Sequence, residues 1–121
     1  MRRLEPESIY RGEPCSVVAV GCALGIGDLR GLLALQTPQT HDDGYLSLAG
    51  MNRFIRANLA VKRAEQYKRF ERPALRDWVR EHPGERAIIC VLGHFLYFDG
   101  RDYYSFFWNG GDPVVKVWYL E

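Results

Sequence analysis

The chain has 121 residues, with 16 Lys and Arg against 15 Asp and Glu, a formal charge of +1 and 47% hydrophobic residues. Those values suit one soluble domain over 1–121 with its own core, and the balanced charge supplies no general attraction to nucleic acid or to an anionic membrane surface. Three cysteines, an odd number without CxxC spacing, make neither a disulfide framework nor a zinc ribbon, so reduced thiols, a cytoplasmic setting and no metal or organic cofactor are expected.

Residues 1–14 carry Pro6, Gly12 and Pro14 without sustained periodicity and read as an extended N-terminal arm, with neither a signal peptide nor a membrane-spanning helix. Pro14 suits the first position of a helix, where its missing N–H costs nothing. The run from Cys15 to Leu24 is apolar nearly all round, which makes this helix central, and Gly25 ends it. Asp28 caps a second short helix through Leu29, Leu32, Leu33 and Leu35, which Thr37-Pro38 stops, and 39–44 is a loop. Ser47 starts a third helix whose Leu48, Met51, Phe54, Ile55 and Leu59 recur at helical spacing, with Arg53 and Arg56 outward. Residues 60–67 alternate weakly, as a strand would. Arg72-Pro73 opens a fourth helix with Leu75, Trp78 and Val79 inward, and His82-Pro83-Gly84 closes it. Ala87 to Leu92 reads as a buried strand running straight into His94.

From Gly93 to Asn109, two runs rich in aromatic and β-branched residues flank Asp99-Gly100, a strong hairpin signal. With Gly100 and Arg101 as the loop, Asp99 pairs with Asp102 and His94 lies opposite Phe107. Alternation then puts His94 on one face with Ser105, Phe107 and Asn109, and makes Asn109 a diagonal neighbour able to accept a proton from the imidazole. Gly110-Gly111-Asp112-Pro113 turns the chain into a last strand, Val114 to Leu120. The predicted class is α+β, with N-terminal helices packed on a C-terminal antiparallel sheet.

A thiol becomes a nucleophile where its thiolate is favoured, and Cys15 stands at a helix start, where unpaired N–H groups favour negative charge. It is therefore expected to alkylate with iodoacetamide at about pH 6. His94 on a later strand can take the thiol proton and return it to a leaving amine, while Asn109 holds the other ring nitrogen.

Gly12-Glu13-Pro14-Cys15 opening an apolar helix, Leu75 to Pro83, and Gly93-His94-Phe95 before an Asp-Gly hairpin together resemble the papain-like cysteine peptidase superfamily. Within it the layout is most similar to small bacterial and phage proteins related to bacteriocin-processing peptidases. The resemblance covers roughly Gly12 to Trp118. It implies a papain-like fold, Cys15 as nucleophile, His94 as general base and acid, Asn109 as orienting residue, a peptide or protein substrate, and a phage-type protein acting in a bacterial cytoplasm.

Three positions depart from that family. Ile9 stands where relatives carry a Gln or Asn that donates to the oxyanion, and Gln36 and Gln39 lie on the other side of the helix; losing such a donor costs about two to three orders of magnitude in turnover. Glu13 puts a negative charge two residues from the thiol. Ser16 follows the cysteine where many relatives have Gly or Trp. The alternative reading is therefore a binding or inhibitor module on a weak or inactive peptidase fold. Nine basic residues fall between Arg53 and Arg80, and Arg63, Arg69 and Arg76 are candidates for an acidic protein partner, although interspersed Glu65, Glu71, Asp77 and Glu81 fit a solvated face equally. Cys22 and Cys90 read as core residues, and His41 and His82 as surface residues. The aromatics Tyr97, Tyr103, Tyr104, Phe106, Phe107 and Trp108 line either a groove or a sheet buried on both faces.

Overall fold

The computed structural model describes residues 2–35, 47–107 and 109–121. Among them are β1 (Arg3–Leu4), α1 (Cys15–Leu24), α2 (Leu29–Leu35), α3 (Leu48–Asn58), β2 (Val61–Gln66), α4 (Leu75–Glu81), β3 (Ala87–Val91), β4 (His94–Phe98), β5 (Tyr103–Tyr104) and β6 (Val114–Leu120). The six strands form one sheet in the order β1-β5-β4-β3-β6-β2. The class is α+β, as the sequence predicts.

Both faces of the sheet are covered. On one, α1, α2 and α3 bring Val17, Val20, Leu32 and Ile55 against Ile88, Phe95, Tyr97 and Trp118. On the other, Leu75, Trp78 and Val79 of α4 pack on Ile89, Leu96, Phe98, Tyr103, Val117 and Tyr119. Two-sided burial is why β3 is apolar at every position and shows no alternation. Each large side chain so buried contributes roughly 1.5–3 kcal/mol.

Helix α1 lies in the middle of the first layer. Its residues from Ser16 to Gly21 are all buried, and it packs on β4 and β3 below and on α2 and α3 beside it. The close fit extends to the N-terminal arm: the buried Tyr10 ring lies against Gly21, and its hydroxyl donates to the Ile26 carbonyl at 2.6 Å.

The structure corrects four details of the sequence reading. Pro14 is the residue before the helix rather than its first residue, since Cys15 opens α1. Strand β3 does not run straight into His94; Val91 pairs with His94, and Leu92-Gly93 form a tight turn in which Gly93 has φ 80°. A side chain there would be strained, so the residue that frees the turn is the glycine. The N-terminal arm is not merely extended: Arg3–Leu4 adds to the sheet edge parallel to Tyr103–Tyr104, and Ser8–Tyr10 is a 3-10 turn. The sheet is consequently mixed rather than wholly antiparallel, and β1 and β2 bring earlier parts of the chain into it. The stop at Thr37-Pro38, the loop at 39–44, and Gln36, Gln39, His41 and Trp108 lie outside the described residues.

The β4–β5 hairpin has the predicted register, with Phe98 opposite Tyr103, Tyr97 opposite Tyr104, and the Asp99 N–H donating to the Asp102 carbonyl at 3.0 Å. Asp99 Oδ1 accepts from the N–H groups of Arg101 and Asp102 at 2.8 and 2.7 Å, which locks the turn. Among the described residues, no single helix is long and apolar enough to cross a membrane.

Candidate functional site

Cys15 and His94 line one small cavity of about 140 Å³, together with Glu13, Tyr104, Ser105 and Phe107. Two elements bring them there. The first residue of α1 is set over β4 because the apolar helix packs along that strand, and His94 is the first residue of β4 after the Leu92-Gly93 turn. The β4–β5 ladder ends at Tyr97 and Tyr104, and beyond it the chain leaves the sheet and wraps the cavity with Ser105, Phe106 and Phe107. Phe107 is not paired with His94 across a ladder, as the predicted hairpin register has it, but its ring still lies 6.1 Å from the imidazole, edge-on.

Asn109 does not touch the imidazole directly. His94 Nε2 and Ser105 Oγ are 3.2 Å apart; the Ser105 hydroxyl donates to Asn109 Oδ1 at 2.8 Å; and Asn109 Nδ2 donates to Asp112 Oδ2 at 2.8 Å. These bonds fix one another. Asp112 takes the Asn109 amide hydrogen, so Oδ1 faces Ser105 and receives its only hydroxyl hydrogen. Ser105 Oγ can then only accept, and it accepts from the Phe107 N–H at 3.1 Å and from His94 Nε2–H. The ring is thereby held as the Nε2–H tautomer, and Nδ1 is left as the basic nitrogen. Ser105 and Asn109 are both buried, which shields the relay from water.

The sequence puts Ser105 on the same face as His94, as the alternative partner of the ring whose contact reduces the triad to a Cys15–His94 dyad, and it gives Asp112 no role. A signal was present: Asn109 and Asp112 stand three apart across Gly110-Gly111, and the turn is closed by the Asp112 N–H donating to the Asn109 carbonyl at 2.9 Å. Asn109 is thus both a turn former and a member of the relay.

The electrostatics of Cys15 differ from the expectation. Burial pushes its thiol above the ordinary value of 9.0, and backbone hydrogen bonds from Phe95, Ser16 and Cys15 itself only partly offset that. Low-dielectric surroundings therefore outweigh the helix start. His94 is displaced in the opposite direction: burial lowers it below 6.5, against a smaller opposing effect of Asp112. Both groups are neutral near pH 7, a thiol beside a free base rather than a preformed ion pair.

The other singled-out residues fall elsewhere. Cys22 and Cys90 are free thiols packed in or against the core, pushed up to about 12 chiefly by burial. His82 ends α4, half-buried, with its ring stacked 4.2 Å from Trp78 and Nδ1 2.7 Å from the Trp78 carbonyl. Ile9, which the resemblance to papain-like peptidases aligns with their oxyanion donor, is partly buried against the core. Arg63 lies 3.7 Å over the Tyr119 ring and pairs with Glu65, Arg69 lies over the exposed Phe70 ring, and Arg76 lines a separate pocket beneath α4. Tyr97 and Tyr103 are buried on opposite faces of the sheet, while Tyr104, Phe106 and Phe107 wall the cavity. Among the described residues, no group of three His, Cys, Asp or Glu side chains is placed to hold a metal.

No protein-family model matches the chain, and no curated protein or solved structure matches it.

Proposed function

We propose that this chain is a papain-like thiol hydrolase, of the small bacterial or phage type, that cleaves a peptide or isopeptide bond in the cytoplasm. The observation that carries the reading is that Cys15 and His94 share one cavity while the Ser105–Asn109–Asp112 relay engages His94 Nε2 and so leaves Nδ1 as the basic nitrogen. The likeness in layout to papain-like peptidases, from the helix-opening cysteine to the strand-opening histidine, supports the same assignment.

In the proposed reaction Cys15 Sγ attacks the carbonyl carbon as His94 Nδ1 takes the thiol proton. The tetrahedral intermediate collapses, His94 returns that proton to the leaving amine, and a thioester remains on Cys15. Water then adds to the thioester, again giving its proton to His94, and the acid leaves as the thiol re-forms. Because the thiol is not ionised beforehand, proton removal belongs to the attack itself, as with a serine nucleophile. With Ile9 in place of a side-chain donor, the oxyanion is assigned to backbone N–H groups at the start of α1, which predicts slow turnover. The test is hydrolysis of a fluorogenic peptide and isopeptide panel: activity should vanish in Cys15→Ala and fall about a hundredfold or more in His94→Ala. Activity unchanged in Cys15→Ala would overturn the assignment.

A further inference from the structure

A second concavity lies on the opposite side of the sheet from Cys15, between α4 and the β4–β5 turn. It has a volume of about 470 Å³ and is lined by Arg76, Arg80, Arg101, Val79, Pro83 and Phe98. Three arginines thus line one pocket, and among the described residues no Asp or Glu is part of its lining. Two acids lie near these arginines: Asp77 beside Arg80, and Asp99, whose carboxyl is held below its ordinary range, against the opposing effect of burial, by hydrogen bonds with help from the Arg101 charge. Asp99, which holds the turn, lines a different cavity and accepts from Arg101 N–H, Asp102 N–H and the Tyr104 hydroxyl. Asp77 pairs with Arg80 at 3.6 Å on the exposed helix surface, a contact that solvent weakens.

The fold does not require this arrangement. Arg76 and Arg80 are four apart on one face of α4, where like charges weaken a helix, and Arg101 adds a third positive charge from another element. The backbones that carry them are fixed before any ligand arrives. The Gly84 N–H donates to the Gly100 carbonyl at 2.8 Å, and a Cβ on Gly100 would meet the Gly84 backbone at 3.1 Å, so the turn bearing Arg101 is clamped to the loop after α4. The Arg76 N–H is bonded to the Gly110 carbonyl at 2.9 Å. Three arginines carried on fixed backbones around an apolar floor, with Phe98 and Val79 buried beneath, match a small anion with several phosphate oxygens. The volume is in the range of small-molecule sites.

We propose that the pocket under α4 is a binding site for a small phosphate-bearing anion, held by Arg76, Arg80 and Arg101. The site is separate from Cys15 and does not depend on the hydrolase assignment.

Calorimetric titration with inorganic pyrophosphate tests it. Saturable one-to-one binding is expected, weakened about tenfold or more by Arg76→Gln and by Arg101→Gln, and partly restored by Arg76→Lys. Cys15→Ala and Arg63→Gln should leave the affinity within about twofold. All the replaced arginines are exposed, and thermal melts of each variant confirm that it is folded. Absence of saturable binding would overturn the proposal, as would an equal loss in Arg63→Gln, which would mark diffuse charge attraction. An oligoglutamate peptide that competes as strongly as pyrophosphate would likewise overturn it, in favour of an acidic protein surface.

Discussion

The His94 imidazole is oriented by the Ser105 hydroxyl, 3.2 Å from Nε2, with Asn109 one hydrogen bond further away. Under the proposed hydrolase reading, Ser105 is therefore the positioning residue closest to the reacting groups. Replacing it with Ala removes the acceptor for Nε2–H and strands Asn109 Oδ1 without its donor. Turnover should fall about 10- to 100-fold with little change in KM, and the folded state should lose about 1–2 kcal/mol. Nitrogen NMR of the His94 ring should show mixed tautomers in Ser105→Ala and one tautomer in the parent. Asn109→Ala should do less, because Ser105 can still accept from the ring; equal losses in the two variants would contradict the order of the relay.

The lowered pKa of His94 carries a stability consequence. The folded protein resists protonating this ring, whereas the unfolded chain binds the proton at about 6.5, so below that value the unfolded state gains protons that the folded state does not. Stability should decline as the pH falls through 6.5 toward the lowered folded value, and His94→Gln should flatten that decline. Urea unfolding at a series of pH values from about 7 to 5 measures it. For Cys15 the sign is reversed: its raised pKa contributes stability below 9.0 that is lost as the pH rises through the higher folded value. The same displacement revises the alkylation expected from the helix start alone. Iodoacetamide should modify Cys15 slowly at about pH 6 and faster with rising pH, without a plateau in the acid range.

The contact between the N-terminal arm and α1 is tight enough to test by a single methyl group. A Cβ at Gly21 would come within 2.6 Å of the Tyr10 ring and 2.8 Å of its hydroxyl, and that hydroxyl is anchored on Ile26. Gly21→Ala should destabilise by about 1–3 kcal/mol in spite of the better helix propensity of Ala, as read from the shift in denaturation midpoint. A stabilised variant would show that Tyr10 is free to move aside.

The parts of the fold that the sequence revealed are those written in local chemistry. Asp99-Gly100 specified its turn and hence the register of β4 on β5, and Ser47 announced the start of α3 by capping it through Gly50. The Leu92-Gly93 turn was not legible, because β3 is buried on both faces and offers no alternation to end at Val91, and Leu-Gly is a weaker hairpin signal than Asp-Gly. Nor was β1, a two-residue strand whose partner lies some hundred positions along the chain. At the site, Cys15 and His94 were legible as chemical types at the openings of a helix and a strand. Strict alternation misassigned the ring's partner, since it assumed a β5 strand reaching Asn109, and the ladder ends at Tyr104. Burial of the Cys15 thiol depends on the tertiary packing of α1 against the core that includes Val18 and Phe95, which no local pattern encodes.

The central claim, that Cys15 is a nucleophile served by His94, is tested most directly by trapping the acyl-enzyme. The protein is incubated with p-nitrophenyl acetate at about neutral pH, quenched in acid, and analysed by intact-mass and peptide-mapping mass spectrometry. The account predicts a single acetyl group on Cys15, absent in Cys15→Ala, formed about a hundredfold more slowly in His94→Ala, and not found on Cys22 or Cys90. Acetylation of Cys15 at the same rate in His94→Ala, or no faster than that of Cys22, would contradict it.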